Sequence, residues 1–365
     1  MLPDLLARLA AVPASYGFGT QALRLLTEAT ERRGGVDGLA RTPSDQQADA
    51  YRDWIDALVG TGRLGDARQA ATEALARLEP EGRVIGSIAA RAVLLAAGDR
   101  DDAGVLAAHQ TAWRADPTLD RLLGLVDVAT AVGEPDDVLT SEANRTDGEP
   151  IAQRPDLAAG LLLLAGRTND AVRLVDATDV LGWDGDRDPA PVVVPFLLVA
   201  ASNASHDQSW GDSLVLELLD RADNTGWRYD RLPDDGLDTL RATLADQEPQ
   251  GADRYRATPN DDLLLSTLLT DHLERHPPSA PERQGWLSTG RRLVAGRIDE
   301  VVGGQHRAAY ARAAHLAAAC AEAVALATGP DEAGCYLDDL HARYPRHSLF
   351  RRELRTVAGQ SPLLG

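Results

Sequence analysis

A six-residue string recurs four times in the first half of the chain, and a period of this kind commits a sequence to stacked repeats before any other feature is weighed. GRLGDA begins at Gly62, GDRDDA at Gly98, GEPDDV at Gly133 and GRTNDA at Gly166, with starts 36, 35 and 33 residues apart. A looser fifth copy, GRIDEV, begins at Gly296 and carries Glu300 in the acidic place. Each glycine closes an apolar-periodic stretch. There a helix stops and the chain needs a left-handed backbone that side chains resist, so each glycine is expected to be the turn residue. Asp66, Asp102, Asp137 and Asp170 are then expected in the first turn of the following helix. A carboxylate at that position meets open N–H groups and the positive end of the helix dipole, for about 0.3–1 kcal/mol. Ala67, Ala103, Val138 and Ala171 are small because two antiparallel helices approach each other just past the turn.

The flanks carry the same reading. Ser44 and Gln47 form a capping-box signature, which starts a helix by satisfying its first amides. Ala48, Tyr51, Trp54, Ile55, Leu58 and Val59 follow at helical spacing, and Leu64, Ala67, Ala71, Ala74, Leu75 and Leu78 continue the stripe until Pro80. The next unit closes on Ala112, Trp113 and then Asp116-Pro117. Aromatic content of only 4% beside abundant Ala and Leu favours close-packed helices over sheet. The expected fold is all-α: a right-handed α-α superhelix of helical hairpins with a C-terminal helical bundle.

Beyond the repeats, polar and Gly/Pro-rich stretches at 140–156 and 246–260 read as joints, and 176–191 as a longer loop. They divide the chain into helical repeats over 1–145, further hairpins over 146–245 and a C-terminal helical domain over 246–365. In that last region helices are expected at 260–276, 282–302, 305–327, 331–344 and near 347–358. The segment from His306 to Ala327 is so rich in alanine that a neighbouring helix must pack very near it. The strongest apolar run, Val192 to Ala201, is about half the length of a membrane span. It reads as a buried helix entered through Pro195.

The Gly-to-Ala spacing (Gly62 to Ala67, Gly98 to Ala103, Gly166 to Ala171) and the later Ala112-to-Pro117 step resemble the tetratricopeptide repeat family over roughly residues 40 to 180. The first unit departs from that pattern, with Leu58 where the family's first helix carries an aromatic. The resemblance implies a concave groove that binds peptides or partner proteins. The strings YRDWIDALVGTGRLGDARQAATEAL, PVVVPFLLVA, HRAAYARAAHLAAA and YLDDLHARYPRHSLFRREL, with Ala112 to Pro117, resemble in their order the helical region of bacterial SWIM zinc finger proteins. The Cys-x-Cys and Cys-x-His pairs of the SWIM module itself are absent from this sequence. That resemblance therefore implies a zinc module that is missing or is carried by a separate protein.

Charge and cysteine usage bound the function. There are 56 acidic residues against 37 basic ones, a net charge of −19, which repels phosphates and anionic lipid. No basic residue is a lysine, which excludes a Walker-type phosphate loop and Schiff-base chemistry. Cys320 and Cys335 alone make no disulfide framework, and the N-terminus lacks the basic-then-apolar pattern of a secretory signal. A soluble, cytoplasmic protein without a membrane partner is expected, its oligomeric state left open.

Cys320, Cys335 and His341 lack the ligand number and spacing of a structural metal site, and no metal or cofactor is expected. GFGTQA at Gly17 follows no strand and reads as an inter-helix turn rather than a dinucleotide loop. Asp230, Asp234 and Asp235, and the pair Asp338 and Asp339, read as solvated faces in so acidic a chain. Arg343, Arg346, Arg351 and Arg352, with Arg355, His341 and His347, form a basic cluster. It either meets an acidic partner or caps helix ends and pairs with nearby acids. Trp183, Trp210 and Trp227 lie in Gly/Asp/Ser-rich context and are candidates to line a partner groove. The favoured function is a non-catalytic scaffold binding another protein or peptide, with a SWIM zinc finger protein as one candidate partner. The alternatives are a regulator touching nucleic acid through the Arg-rich end, or an enzyme drawing on His206, His272, His306 or His341 in a pocket between the middle and C-terminal units.

Overall fold

The structure is a computed structural model. It describes residues 48–79, 82–147, 151–178, 188–202, 213–222, 236–247 and 263–364, with isolated positions 35, 36, 39 and 249. Among these residues the chain is all-α, with sixteen α-helices and no strand. The first five are α1 (Ala48–Gly60), α2 (Leu64–Arg77), α3 (Arg83–Asp99), α4 (Asp102–Ala115) and α5 (Leu119–Val132). Then come α6 (Pro135–Ala143), α7 (Pro155–Leu164), α8 (Thr168–Ala177), α9 (Ala190–Ser202), α10 (Leu214–Ala222) and α11 (Leu237–Gln247). The last five are α12 (Leu265–Arg275), α13 (Ala280–Ile298), α14 (Tyr310–Thr328), α15 (Pro330–Arg343) and α16 (Ser348–Ala358). No described helix is long and apolar enough to cross a membrane.

The helices group into two compact units, and the grouping does not follow chain order. The first boundary falls between Pro135 and Asp136, and residues 231–261, which include α11, belong with the first unit. In that unit each of α1 to α5 packs on the next, α1 also touches α3, and α11 packs on α1 and α3. Its core is the predicted stripe: Tyr51, Ile55, Leu58 and Val59 from α1 meet Ala67, Ala70, Ala71 and Ala74 from α2, all buried. Leu240 and Leu244 of α11 enter the same cluster, and Gln247 Nε2 donates to the Val59 carbonyl at 2.8 Å, 188 residues away in sequence. Arg91 of α3 is fully buried; its guanidinium grips Asp56 at 2.7 and 2.8 Å and reaches Ser87 Oγ at 2.6 Å. A charge taken out of water at such a cost is tolerated only because every arm finds an acceptor.

The turns show what the repeated string encodes. At Gly62 the backbone is left-handed (φ 75°); its amide donates to the Val59 carbonyl at 2.9 Å and the next amide to Leu58, also at 2.9 Å. This paired closure is the Schellman motif, which satisfies the last carbonyls of a helix. It recurs at Gly133 (φ 81°) and Gly166 (φ 71°). At the second copy the expectation fails: Gly98 lies inside α3, and the left-handed residue is Arg100, with φ 60°. The amides of Arg100 and Asp101 close that turn on Ala97 and Ala96. The register slips by two because Asp101 sits where it can cap α4, its Oδ1 accepting from the Gly104 amide at 2.9 Å. Ala103 is consequently exposed, whereas Ala67, Val138 and Ala171 are buried as expected. All four repeat aspartates do lie in the first turn of the following helix.

The fifth copy is also corrected. Gly296 lies within α13, which runs on through a π-helical turn at Asp299–Gly303. The Schellman turn falls instead at Gln305 (φ 60°), closed by the amides of Gln305 and His306 on Val302 and Val301.

The second unit is built around α9. Every residue of α9 except Pro191 is buried, and α7, α8, α10, α13 and α14 pack around it. The helix begins at Ala190, capped by Asp188 Oδ1 at 2.8 Å, so Pro195 is interior rather than the point of entry. A proline there has no N–H to give the carbonyl four residues back, and burial on every side holds the helix together despite that loss. At Gly290 of α13, an added Cβ would stand 3.0 Å from Leu198 Cδ2 of α9, so the two helices cross closely here and any larger residue would push that leucine aside. The alanine-rich segment behaves as expected: α14 is contacted by α9, α10, α13, α15 and α16. Small side chains let so many helices close on it. The C-terminal helices expected from the sequence are present, within a few residues at their ends.

Candidate functional site

The predicted basic cluster sits on the last helical pair of the second unit. Arg343 ends α15 and pairs with Asp299, whose carboxylate also takes the Tyr344 hydroxyl. Arg352 pairs with Glu353 at 3.1 Å, Arg355 Nε donates to the Arg351 carbonyl at 3.2 Å, and Arg351 Nη1 reaches the Pro345 carbonyl at 3.4 Å. Arg346 is exposed in the connecting turn. Between α15 and α16 lies a cavity of about 320 Å³ lined by Leu337, Asp338, His341, Leu354, Arg355 and Leu364. His341 is held below its usual pKa, by burial first and then by the positive Arg351 and Arg355, with Asp338 opposing. Asp338 and Asp339 are exposed, as a solvated face should be.

Trp183, Trp210 and Trp227 lie outside the described residues, as do His206, Asp230, Asp234, Asp235, the Gly17 string and the Ser44 capping box. Of the other tryptophans, Trp113 is buried in α4 and Trp54 packs against Tyr51. Trp286 is half-buried on α13 with its ring 6.2 Å from that of Phe196.

The histidines are dispersed. His272 is buried near the end of α12, with the His276 ring tilted beside it at a centroid distance of 4.9 Å, and burial holds its pKa down to about 4. His306 is exposed ahead of α14. Cys320 is enclosed in α14, where burial pushes the thiol up to about 11, while Cys335 is exposed on α15. A thiol enclosed in this way packs as a small apolar side chain.

Two arrangements went unnoticed in the sequence. The first is a buried carboxylate. Glu322 of α14 is wholly inaccessible; Oε1 accepts from Ser213 Oγ at 2.5 Å and the Val215 amide at 3.3 Å, and Oε2 from Ser361 Oγ at 2.6 Å. It holds the start of α10 and the segment after α16 against α14, and its acceptor capacity is spent on that task.

The second is a cavity of about 480 Å³ beside the Gly166 turn. One wall is the turn and the start of α8, with Arg167, Thr168, Asn169 and Asp170; the other is the first half of α13, with Glu282, Trp286 and Thr289. Arg167 spans Asp170 at 2.5 Å, the Ala143 carbonyl at 2.9 Å and Asn144 Oδ1 at 3.0 Å. Asp170 also takes Arg173. Glu282 completes a capping box, its Oε2 accepting from the Ser279 amide at 2.8 Å and the Ser279 hydroxyl at 2.5 Å, which holds its carboxyl below the usual range. An aromatic wall with a few fixed polar groups is the general make-up of a binding cavity.

A scan against protein-family models gives no match, and a search of curated proteins gives none either.

Proposed function

We propose that this chain is a non-catalytic helical-repeat scaffold that binds another protein or peptide in the cytoplasm. Its repeats resemble those of tetratricopeptide proteins, and the order of its strings resembles the helical region of bacterial SWIM zinc finger proteins. A zinc-bearing companion protein is therefore one candidate partner. The observation that carries the reading is the recurrence of one turn: a Schellman closure followed by an acidic first helical turn, at Gly62, Arg100, Gly133 and Gly166. A hairpin of this size cannot bury its apolar stripe alone. Repeats of this kind bury their stripes on their neighbours and can leave a face free for a partner. Repetition is a way to make surface, whereas catalysis needs converging groups at one place.

The Arg-rich end supports a nucleic-acid contact less well, because Arg343 and Arg352 already face Asp299 and Glu353. The reading is tested by purifying the untagged protein from its own cells after mild cross-linking, identifying what is retained, and reconstituting the pair from pure components. A stoichiometric complex is expected. Failure to reconstitute any complex, together with turnover of a substrate by the pure protein, would refute the scaffold.

A further inference from the structure

We propose that the cavity beside the Gly166 turn receives an arginine side chain from a partner polypeptide. The proposal rests on the scaffold reading and names what one of its sites recognises.

The argument begins with what the cavity has left to offer. Asp170 is held by Arg167 and Arg173, and Arg167 has its guanidinium engaged by Asp170, Ala143 and Asn144. Arg167 and Asp170 together brace the wall. Glu282 uses Oε2 for the capping box and leaves Oε1 open. Glu282 and Trp286 stand one turn apart on α13, with Thr289 a further turn along, so the open carboxylate oxygen and the indole share one face. Across from them, Thr168 is only 5% exposed, and its hydroxyl bonds to no described residue.

The groups that remain are therefore a carboxylate oxygen, an indole, and the acceptor oxygens of Thr168, Asn169 and Thr289. A guanidinium is the group whose chemistry suits this set. It stacks on an aromatic ring through its flat face and donates in plane to carboxylate and hydroxyl oxygens. An ammonium lacks the flat face, and an anion would meet Glu282 and a chain of net charge −19.

The test uses the full-length protein and two peptides, acetyl-Ala-Ala-Arg-Ala-Ala-amide and the same peptide with citrulline, a neutral analogue of matching shape, in place of arginine. Binding is followed by NMR at the Trp286 indole N–H. The arginine peptide is expected to shift that signal saturably, and citrulline to weaken binding by about tenfold. Glu282→Gln keeps the capping box and should weaken the arginine peptide about threefold to fivefold, as loss of one exposed charge partner does. Trp286→Leu removes that reporter, so its binding is read by titration calorimetry, where the heat of binding the arginine peptide should be lost. Equal shifts with both peptides, or no shift with either, overturns the proposal. The scaffold reading is separated by the reconstituted complex: a partner bound by both variants as tightly as by the wild-type protein removes this site and leaves the scaffold standing. A partner bound severalfold more weakly by Glu282→Gln, with its helix content unchanged, supports the site.

Discussion

Moving the left-handed residue of the second repeat by mutation tests the turn assignment directly. Three substitutions separate the string from the structure: Gly62→Ala, Gly98→Ala and Arg100→Gly. Gly62 has φ 75°, and an added Cβ there meets nothing within 4 Å. The cost of Gly62→Ala is therefore the backbone conformation alone, about 1–2 kcal/mol. Arg100 bears the same strain now, at φ 60° with an exposed side chain. Arg100→Gly should recover about 1 kcal/mol, less than the full strain because glycine also loosens the unfolded chain. Gly98 lies within α3, so Gly98→Ala should stabilise by about 0.5–1 kcal/mol through helix propensity. Urea unfolding of the full chain, followed by far-UV circular dichroism, reads all three as shifts in the transition midpoint. Opposite signs for Gly62→Ala and Gly98→Ala are expected. If Gly98→Ala destabilises as much as Gly62→Ala, the turn lies at Gly98 and the two-residue slip is refuted.

Two further outcomes are expected. His109 is buried in α4 and its pKa is lowered by burial to about 4, below the unfolded value. The unfolded chain then binds the extra proton, so this contribution to stability is complete above about pH 6.5 and drains away as pH falls towards 4, by about 3 kcal/mol at most. His109→Gln should flatten that slope when the two proteins' unfolding free energies are compared at pH 7 and pH 4.5; parallel pH profiles would contradict it. Glu322→Ala strands two serine hydroxyls and the Val215 amide in a sealed place, for a loss of about 3 kcal/mol. Thermal unfolding should show it, and a midpoint unchanged from wild type would mean that Glu322 is not holding those segments.

The helices were legible because their signal is local. A stripe such as Tyr51, Ile55, Leu58 and Val59 repeats every three or four residues and needs no distant partner to be recognised. Turn register is local too, yet it misled, because a glycine marks where a left-handed residue is cheap and not where the hydrogen bonds put it. At the second repeat Asp101 captures the Gly104 amide, and that bond selects Arg100 as the turn although glycine stands two residues earlier. Gly296 failed for a related reason: its string was matched by letters, while the apolar spacing around it continues a helix into the turn at Gln305.

What stayed hidden depends on sequence separation. Glu322 bonds partners 109 and 39 residues away, and Arg91 finds Asp56 at a distance of 35. One more acid or arginine among so many gives no hint that it is buried. The cavity beside Gly166 has the same character: Trp286 reads as a core anchor, and Glu282 as an ordinary helix cap, until α8 is placed opposite them. The string at Gly166 predicted the turn correctly, but it could not say that Arg167 and Asp170 would brace one wall of a binding cavity. The same Arg–Asp brace occurs at the first repeat, where Arg63 Nε donates to Asp66 at 2.7 Å. The pair is thus part of the cap itself. What changes between the two turns is the helix packed in front of it, and in the second unit that helix supplies Trp286 and the open Glu282 oxygen on which arginine recognition depends.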